Sequence, residues 1–360
     1  MQIGIIGLPL SGKSTLFRLL TGGRAESAHP GGRADVRTGV AQVPDPRLDF
    51  LATLYHPRKV TPATIQLTET AGFLPGQGDR ARTNEFLNAV RTSDALIHVV
   101  RTFESAELPH PRGRVDPLAD VRDLDQELLL ADLAVAESAA GRLRQARRRG
   151  PEEEATLALL ERVQEALGEE IPVHDLGLDE EEMRLLRNYA FVTARPLLVA
   201  LNLSEEQWSA RDYPGRAELE DYARQHGERT VTFCARVELE VAEMETADRE
   251  EFMRAYGIEE TGIVRIAKAA YASLGLVSFL TAGEDEVRAW PVPRGTTARR
   301  AAGKIHSDLE RGFIRAEVVA FDDLARLGSM KAVREAGLLR LEGKDYVVQD
   351  GDILTVRFNV

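Results

Sequence analysis

The sequence predicts an α/β fold in which a doubly wound sheet is split by an inserted antiparallel helical hairpin and followed by a small α+β domain. Three observations carry this prediction. Short β-branched runs alternate with helical segments, a stretch rich in Leu, Ala, Glu and Arg separates the fourth run from the fifth, and the pattern changes again in the last quarter of the chain. The two parts of the sheet domain, the hairpin and the C-terminal domain are predicted at residues 1–117 and 191–275, 118–190, and 276–360.

Six short aliphatic runs supply the strands of the sheet domain. They occupy residues 3–6, 36–43, 64–67, 95–100, 196–201 and 230–233. Because helical segments lie between several of them, these runs are expected to form one doubly wound sheet that the hairpin interrupts.

The inserted segment has apolar residues at helical spacing in two sets, which Gly150-Pro151 separates. The sets are Leu124, Leu128, Ala131 and Val135, and Leu157, Leu160, Val163 and Leu167. Two such helices joined by a short turn form an antiparallel hairpin. Its tip places three arginines at 147–149 next to three glutamates at 152–154. Self-compensating charge favours a solvated tip, and contact with a partner is the alternative.

From residue 276 the chain has the pattern of a small mixed sheet of ubiquitin-like size. Strands are predicted at 287–292, 316–321, 346–348 and 353–358, and a helix at about 298–309. Basic residues cluster in this domain at Arg294, Arg299, Arg300, Lys304 and Arg311. Surface solubility explains them, and contact with RNA or a ribosome is the alternative.

The composition is that of a globular chain of 360 residues, with 43% hydrophobic and 29% charged residues. One cysteine, Cys234, excludes internal disulfides and any zinc or iron–sulfur site built from thiolates. No signal peptide pattern and no membrane-length apolar run is found, so a cytoplasmic location without membrane contact is expected. A formal charge of −12 argues against coating nucleic acid by bulk charge, and sequence-specific DNA is not an expected partner.

Residues 7–15 carry the strongest chemical signal, because they fit the Walker A pattern G-x-x-x-x-G-K-[ST] between an aliphatic run and a helical segment. The residues expected to bind the nucleotide here are Gly7, Leu8, Pro9, Leu10, Ser11, Gly12, Lys13, Ser14 and Thr15. The glycines let main-chain N–H groups face phosphate oxygens. Lys13 is expected to reach the β- and γ-phosphates, and Ser14 Oγ to ligate Mg²⁺. The segment therefore predicts a P-loop that binds a nucleoside triphosphate.

The identity of the base is predicted from the segment Asn202-Leu203-Ser204-Glu205, which follows the fifth strand. Guanine-selective P-loop proteins have N-K-x-D there, with an aspartate that accepts two hydrogen bonds from guanine. Here the carboxylate is one methylene longer and the lysine is missing, so guanine recognition is disfavoured. A base-facing role is expected for Asn202. For Glu205 such a role competes with the interpretation that Ser204 simply caps a helix.

Several motifs together resemble the YchF family of Obg-like ATPases, over essentially the whole chain. They lie at residues 7–15, 43–48, 202–205, 278–283, 286–290, 312–317 and 341–352. The resemblance implies a P-loop NTPase domain, an inserted helical hairpin and a C-terminal TGS domain. It also implies preference for ATP over GTP, slow hydrolysis and association with the ribosome. An intact N-x-x-E motif, linked with adenine in that family, supports nucleotide contacts from Asn202, Leu203 and Glu205, and the following loop adds Cys234 and Ala235.

Three departures from the family pattern weaken the predicted hydrolytic apparatus. Glu69 replaces the aspartate of a D-x-A-G segment that ends at Gly72, so a longer side chain is expected to hold Mg²⁺ through water. Arg33 falls at or near the switch threonine, either as a cis-acting arginine or as a mobile exposed one. Leu10 replaces the asparagine that holds a monovalent cation in related enzymes. As in the family, an apolar residue, Phe73, stands where many GTPases have a water-orienting glutamine.

The predicted function is that of a slow, Mg²⁺-dependent ATPase in which ATP and ADP set the order of two switch loops. Lys13, Ser14, Glu69 and Gly72 are the predicted catalytic residues. The hairpin and the TGS domain would report the nucleotide state to a ribosome or RNA. The alternative is a nucleotide-binding regulatory protein with negligible hydrolysis, and a GTPase is disfavoured by Glu205. Two further side chains are expected to be structural: Cys234 as a small buried thiol, with redox sensing as its alternative, and His98 as a hydrogen-bonded core histidine.

Overall fold

The computed structural model describes residues 1–23, 25–26, 37–76, 80–146, 148 and 150–359. It separates into two compact units, the first formed by Met1–Val40 and Gln66–Ala270 and the second by Ala41–Ile65 and Tyr271–Val360. The segment 41–65 thus groups with the C-terminal residues, whereas the sequence expectation placed it with the nucleotide-binding domain.

Strands and helices alternate through most of the described chain. The strands are β1 (Gln2–Ile6), β2 (Ala25–Glu26), β3 (Arg37–Val43), β4 (Lys59–Thr61), β5 (Ala63–Glu69), β6 (Ala95–Arg101), β7 (Leu197–Asn202), β8 (Arg229–Phe233), β9 (Leu276–Ala282), β10 (Glu286–Pro293), β11 (Phe313–Ala320), β12 (Arg340–Glu342) and β13 (Asp352–Phe358). The helices are α1 (Lys13–Leu20), α2 (Pro46–Tyr55), α3 (Arg80–Arg91), α4 (Pro117–Gln145), α5 (Pro151–Gly168), α6 (Glu180–Leu186), α7 (Glu205–Ala210), α8 (Arg216–Gln225), α9 (Ala235–Glu243), α10 (Thr246–Ala255), α11 (Gly262–Ser273), α12 (Ala298–Ile305), α13 (Ser307–Arg311), α14 (Phe321–Leu327) and α15 (Met330–Glu335), with short 3₁₀ turns at Val173–Leu176 and Arg187–Tyr189.

The large sheet has seven strands in the order β2-β3-β5-β1-β6-β7-β8. The pairs from β5 through β8 are parallel, and β2 runs antiparallel to β3. Strands β6 and β7 are buried along their whole length, as expected for a parallel sheet covered on both faces. The six predicted runs are all strands of this sheet. Since β1 lies between β5 and β6, the carboxyl ends of these strands form a crevice where parallel α/β sheets bind ligands.

The helical hairpin of α4 and α5 is present as predicted. Helix α4 begins where Asp116 accepts a hydrogen bond from Ala119 N (3.1 Å), with Pro117 in the first turn. The core of the hairpin is an apolar cluster that contains Leu129, Ala136, Ala139, Ala140, Leu159, Leu160, Val163, Leu167, Val173, Leu186 and Phe191. At the tip, Arg147 and Arg149 lie outside the described residues, and Glu152 pairs with Arg184 of α6 at 3.0 Å.

A buried carboxylate fixes the base of the hairpin to the chain that returns from it. Asp132 of α4 is fully buried and accepts hydrogen bonds from Val192 N (3.0 Å), Thr193 N (2.7 Å) and Thr193 Oγ1 (2.8 Å). Burial raises the pKa of Asp132, and the three donors act against that shift. The three donors offset part of the cost of burying this carboxylate.

The second unit holds a six-stranded mixed sheet in the order β12-β11-β13-β9-β10-β4. Two sequence expectations are wrong here. The helix predicted at 298–309 is two helices, because His306 is extended and its Nδ1 accepts a hydrogen bond from Asp308 N (3.2 Å), which starts α13. The strand predicted at 346–348 is only a single bridge between Thr297 and Val347. Strand β9 was not predicted, although it is the central partner of β10 and β13.

Three contacts join the segment 41–65 to the C-terminal residues within the second unit. Arg47 forms an ion pair with Asp350 at 2.8 Å. The ring of Phe50 meets that of Phe321 edge-on at 5.5 Å, and β4 pairs in parallel with β10. These long-range contacts explain why the segment belongs to this unit.

Candidate nucleotide-binding site

The loop between β1 and α1 has the backbone of a phosphate-binding loop. Gly7 and Gly12 have φ of +140° and +104°, values that L side chains rarely adopt. A Cβ would also lie 2.4 Å from Val99 O at Gly7 and 2.5 Å from Asn202 Nδ2 at Gly12. The N-cap residue of α1 is Gly12, which has no side chain to cap the helix, so the first amide groups can face an anion.

Lys13 lies inside this loop, 6% exposed, and its Nζ donates a hydrogen bond to Leu8 O at 2.6 Å. Burial lowers the pKa of Lys13 from 10.5 to about 8, while the Glu69 carboxylate acts in the opposite direction. The ammonium group is therefore held by the loop's own carbonyl. A polyphosphate would offer it stronger, negatively charged acceptors.

Ser14 and Glu69, the two residues predicted to hold Mg²⁺, lie in contact with each other. Ser14 Oγ donates a short hydrogen bond to Glu69 Oε1, and Glu69 is buried at the end of β5. Its second oxygen, Oε2, accepts no hydrogen bond from any described residue, and Arg37 Nη1 lies 3.6 Å from it. A hydroxyl beside a buried carboxylate with a free oxygen is a donor set that fits Mg²⁺. In the described chain no three His, Cys, Asp or Glu residues form a metal-binding group, so phosphate oxygens would have to complete the coordination.

The segment after Glu69 is fastened to the phosphate loop. Phe73 N donates to Gly7 O at 3.2 Å, and a Cβ on Gly72 would lie 2.8 Å from Pro9 Cα. The Phe73 ring is buried and stacks on Phe86, with centroids 4.4 Å apart. Gly72 therefore serves close backbone approach, and Phe73 offers no polar group to orient water.

Asn202 joins three loops at the carboxyl edge of the sheet. Its Nδ2 donates to Ser11 O (3.1 Å) and its Oδ1 accepts from Ala235 N (3.1 Å), and the side chain is buried. Both ends of the amide are thus engaged by the phosphate loop and by the loop that starts α9. Asn202 therefore connects the two loops through its side chain, a structural role that differs from the predicted contact with the base.

The neighbours of Asn202 are placed by the same loops. Leu203 is buried, and its N donates to Phe233 O at 2.8 Å. Cys234 is 1% exposed at the start of α9, and burial raises the pKa of its thiol, as expected for a small buried group and not for a reactive one.

Glu205 occupies the first turn of α7. Ser204 caps that helix, accepting from Gln207 N at 3.2 Å, so the helix-start interpretation describes the backbone correctly. The Glu205 carboxylate is about half exposed and pairs with Arg236 Nε of α9 at 2.6 Å. The pair spans the two loops that flank Asn202. It also leaves this carboxylate already partnered by a cation.

His98 lies beside the phosphate loop in β6 and differs from expectation. It is fully buried, as predicted, but neither ring nitrogen has a hydrogen-bond partner among the described residues. Burial lowers the pKa of His98 to about 3, and the charge of Lys13 acts in the same direction. The imidazole is therefore a neutral core group.

Comparison with known proteins agrees with this geometry. A family model described as 50S ribosome-binding GTPase matches residues 2–132, and the YchF-GTPase_C model, described as a protein of unknown function (DUF933), matches residues 276–359. The chain is 42% identical to "Ribosome-binding ATPase YchF" of Haemophilus influenzae, over 100% of this chain and 99% of that protein. The chain belongs to the YchF family. The protein of that name from Bacillus subtilis is 40% identical, with all of both chains covered.

The fold comparison extends YchF membership to the whole architecture. The structure of the Schizosaccharomyces pombe YchF GTPase has a TM-score of 0.85 and 29% identity, covering 99% of this chain and 97% of that one. A GTP binding protein from Pyrococcus horikoshii, at TM-score 0.56 and 20% identity, shares the fold. The predicted resemblance and fold class are confirmed. Among the described residues, no helix combines the length and apolarity needed to cross a bilayer.

The three residues that depart from the YchF pattern lie in different environments. Leu10 is half exposed, with a φ of +62°, on the outside of the phosphate loop. Glu69 takes the buried position beside Ser14 described above. Arg33 lies outside the described residues. Arg37 belongs to the site although no sequence motif singled it out; its only signal was a basic side chain at the start of a strand beside the Glu69 strand.

Proposed function

We propose that this member of the YchF family binds ATP and ADP and hydrolyses ATP slowly in the presence of Mg²⁺. The observation that carries the proposal is the loop at 7–15, whose close contacts require glycine at positions 7 and 12. Beside it, Lys13, Ser14 and the Glu69 carboxylate lie together at the N-terminus of α1. The name of these relatives, ribosome-binding ATPase, supports the same activity.

Each residue has a separate task in this proposal. The amides after Gly12 and the ammonium of Lys13 would hold the phosphates, and Ser14 with Glu69 would hold Mg²⁺. When bound, the metal neutralises the charge that develops during phosphoryl transfer. Phe73 is buried and apolar, so water is not oriented from that position. Slow turnover follows, because positioning of the attacking water is one of the main contributions in this reaction class.

Base selectivity would come from the loops that Asn202 joins. Leu203, Cys234 and Ala235 belong to these loops, and Glu205 forms an ion pair with Arg236. A carboxylate already paired with arginine is a poor acceptor for the two donors of guanine, so ATP is preferred over GTP in this proposal.

The partner in this proposal is the ribosome or RNA, engaged by the hairpin and the C-terminal TGS domain in the cytoplasm. Two observations support it: the relatives are named ribosome-binding, and α12 presents exposed basic residues in a chain of net charge −12. Nucleotide-dependent ordering of the loops near Gly72 would change how strongly the hairpin and the C-terminal domain bind this partner.

A nucleotide-binding regulator with negligible hydrolysis is the second candidate. It is favoured by the combination of Phe73, buried on Phe86, and Leu10, which carries no polar group at the phosphate loop.

Two measurements on the purified chain test the proposal. Titration with fluorescent ATP and GTP analogues should show tighter ATP binding, and GTP bound about tenfold tighter would overturn the ATP assignment.

Phosphate release should fall about a hundredfold in Lys13→Ala, the scale expected on removal of a charge-stabilising group. Lys331→Ala, at an exposed lysine of α15, is the control and should leave release unchanged. Release that persists in Lys13→Ala would come from another site, and tight binding without measurable release would favour the regulator.

A further inference from the structure

Arg37 faces the one carboxylate that the metal site needs. It is the first residue of β3, its side chain is 58% exposed, and its Nη1 lies 3.6 Å from Glu69 Oε2. The other Glu69 oxygen accepts the hydrogen bond from Ser14. Within the described part of the chain, Oε2 accepts no hydrogen bond, and the Arg37 guanidinium forms an ion pair with it, while the buried Lys13 ammonium also interacts electrostatically with this carboxylate.

We propose that Arg37 competes with the divalent cation for Glu69 and thereby sets the metal concentration at which this protein binds nucleotide. The inference rests on the proposed function, because it needs a metal-dependent nucleotide site. In the metal-free protein the guanidinium, together with the Lys13 ammonium, offsets the charge of the buried carboxylate. A metal ion that arrives at Ser14 and Glu69 meets a fixed positive charge next to its ligand.

The electrostatic argument has a definite sign. A buried carboxylate beside a unit positive charge attracts a second cation less strongly, because part of its field is already neutralised. The arginine side chain is more than half exposed, so salt screens its effect, and the pair is of modest strength. Removal of the arginine should therefore strengthen metal binding about two- to fivefold, the range expected for an exposed ion pair.

The length of Glu69 is part of the arrangement. A glutamate places its carboxylate one methylene further from the backbone than an aspartate does, and here the carboxylate contacts Ser14 with one oxygen and faces Arg37 with the other. Shortening the side chain in Glu69→Asp should withdraw the carboxylate from Arg37 and remove the competition.

The test is a titration of free Mg²⁺ at a fixed, subsaturating concentration of a fluorescent ATP analogue. In R37Q the Mg²⁺ concentration for half-maximal binding should fall about two- to fivefold, with R37K close to the unmodified chain. The control is R224Q, which removes another exposed arginine, one that pairs with Asp221 on α8 at 2.8 Å, and it should leave the half-maximal concentration unchanged. The difference between R37Q and the unmodified chain should shrink as NaCl rises from about 50 to about 500 mM.

A double-mutant cycle makes the test specific to the pair. If Arg37 acts through Glu69, R37Q should have little effect in the E69D background, and the coupling should account for most of the effect of R37Q alone. Equal half-maximal Mg²⁺ in R37Q and the unmodified chain, with metal-dependent binding intact, would overturn the inference and leave the proposed function standing. Absence of metal-dependent nucleotide binding in the unmodified chain would overturn the proposed function and this inference with it.

Discussion

At Lys13, burial of an ammonium group sets the pH range in which the phosphate loop is charged. The side chain is 6% exposed and its pKa is lowered to about 8 by burial, against 10.5 for a free lysine. Near neutral pH the group is still mostly protonated, so it can pair with a polyphosphate. Above pH 8 the free protein loses this charge, and phosphate binding then requires uptake of a proton.

The pH dependence of ATP binding follows from this pKa. Affinity for a fluorescent ATP analogue should be nearly constant up to about pH 7.5 and should weaken about tenfold per pH unit above pH 8, as the neutral amine becomes the dominant form. Isothermal titration in buffers of different ionisation enthalpy should show proton uptake in the same range. Lys13→Ala should bind weakly with no such pH dependence. An affinity that stays constant to about pH 9 in the unmodified chain would contradict the assignment.

At the scale of elements, the hairpin owes its stability to packing between α4 and α5 and not to its polar surface. Leu160 of α5 is fully buried in the apolar cluster shared with α4, whereas Leu130 of α4 is 62% exposed. Asp132 adds a buried polar contact, since its three donors connect the base of the hairpin to the returning chain. The two leucines therefore separate the effect of burial from the effect of residue type.

Leucine truncations should report this difference in the free energy of unfolding. Leu160→Ala should destabilise by about 2–5 kcal/mol, because it removes buried methyl groups and leaves a cavity. Leu130→Ala, the matched change on the exposed face, should stay within about 0.5 kcal/mol of the unmodified chain. Urea unfolding followed by circular dichroism measures both. Similar destabilisation in the two variants would mean that α4 and α5 do not pack as described.

At the scale of the whole molecule, charge is unevenly distributed. The chain has 46 basic and 58 acidic residues, yet α12 carries exposed Arg299, Arg300 and Lys304. In the described structure neither Arg300 nor Lys304 has a salt-bridge partner, whereas Arg326 and Lys331 of the same unit pair with nearby acids. Basic groups free of acidic partners are the ones that can replace counterions on a phosphate backbone.

Charge reversal on α12 should weaken association with ribosomes. The double change R300E/K304E should reduce co-sedimentation, and the slope of log affinity against log salt should fall by about 1 for each phosphate that the variant no longer neutralises. The control R326E/K331E changes the net charge equally, at residues that already have acidic partners, and should have a smaller effect. Equal weakening in both double variants would indicate that only the total charge matters and would contradict binding through α12.

How much of the fold follows from the sequence depends on the range of the interactions. Six of the seven strands of the large sheet and the hairpin were predicted correctly, because period and turn residues are local properties of the chain. Strand β9 and the grouping of residues 41–65 were missed. The first pairs with β10, which follows it directly in the chain, as well as with the much later β13, so distance in sequence does not account for its omission. The second depends on long-range contacts such as that between Arg47 and Asp350.

In the candidate site, too, features set by local sequence differ from those set by long-range contacts. The phosphate loop could be predicted from local sequence, since Gly7, Gly12 and Lys13 act through backbone conformation and one adjacent helix. The groups around that loop follow from tertiary packing: Asn202 contacts it from the end of the fifth predicted strand, and Arg37 faces Glu69. These side chains are brought together by the order of strands in the sheet, and strand order is settled by the packing of the whole domain rather than by any local pattern.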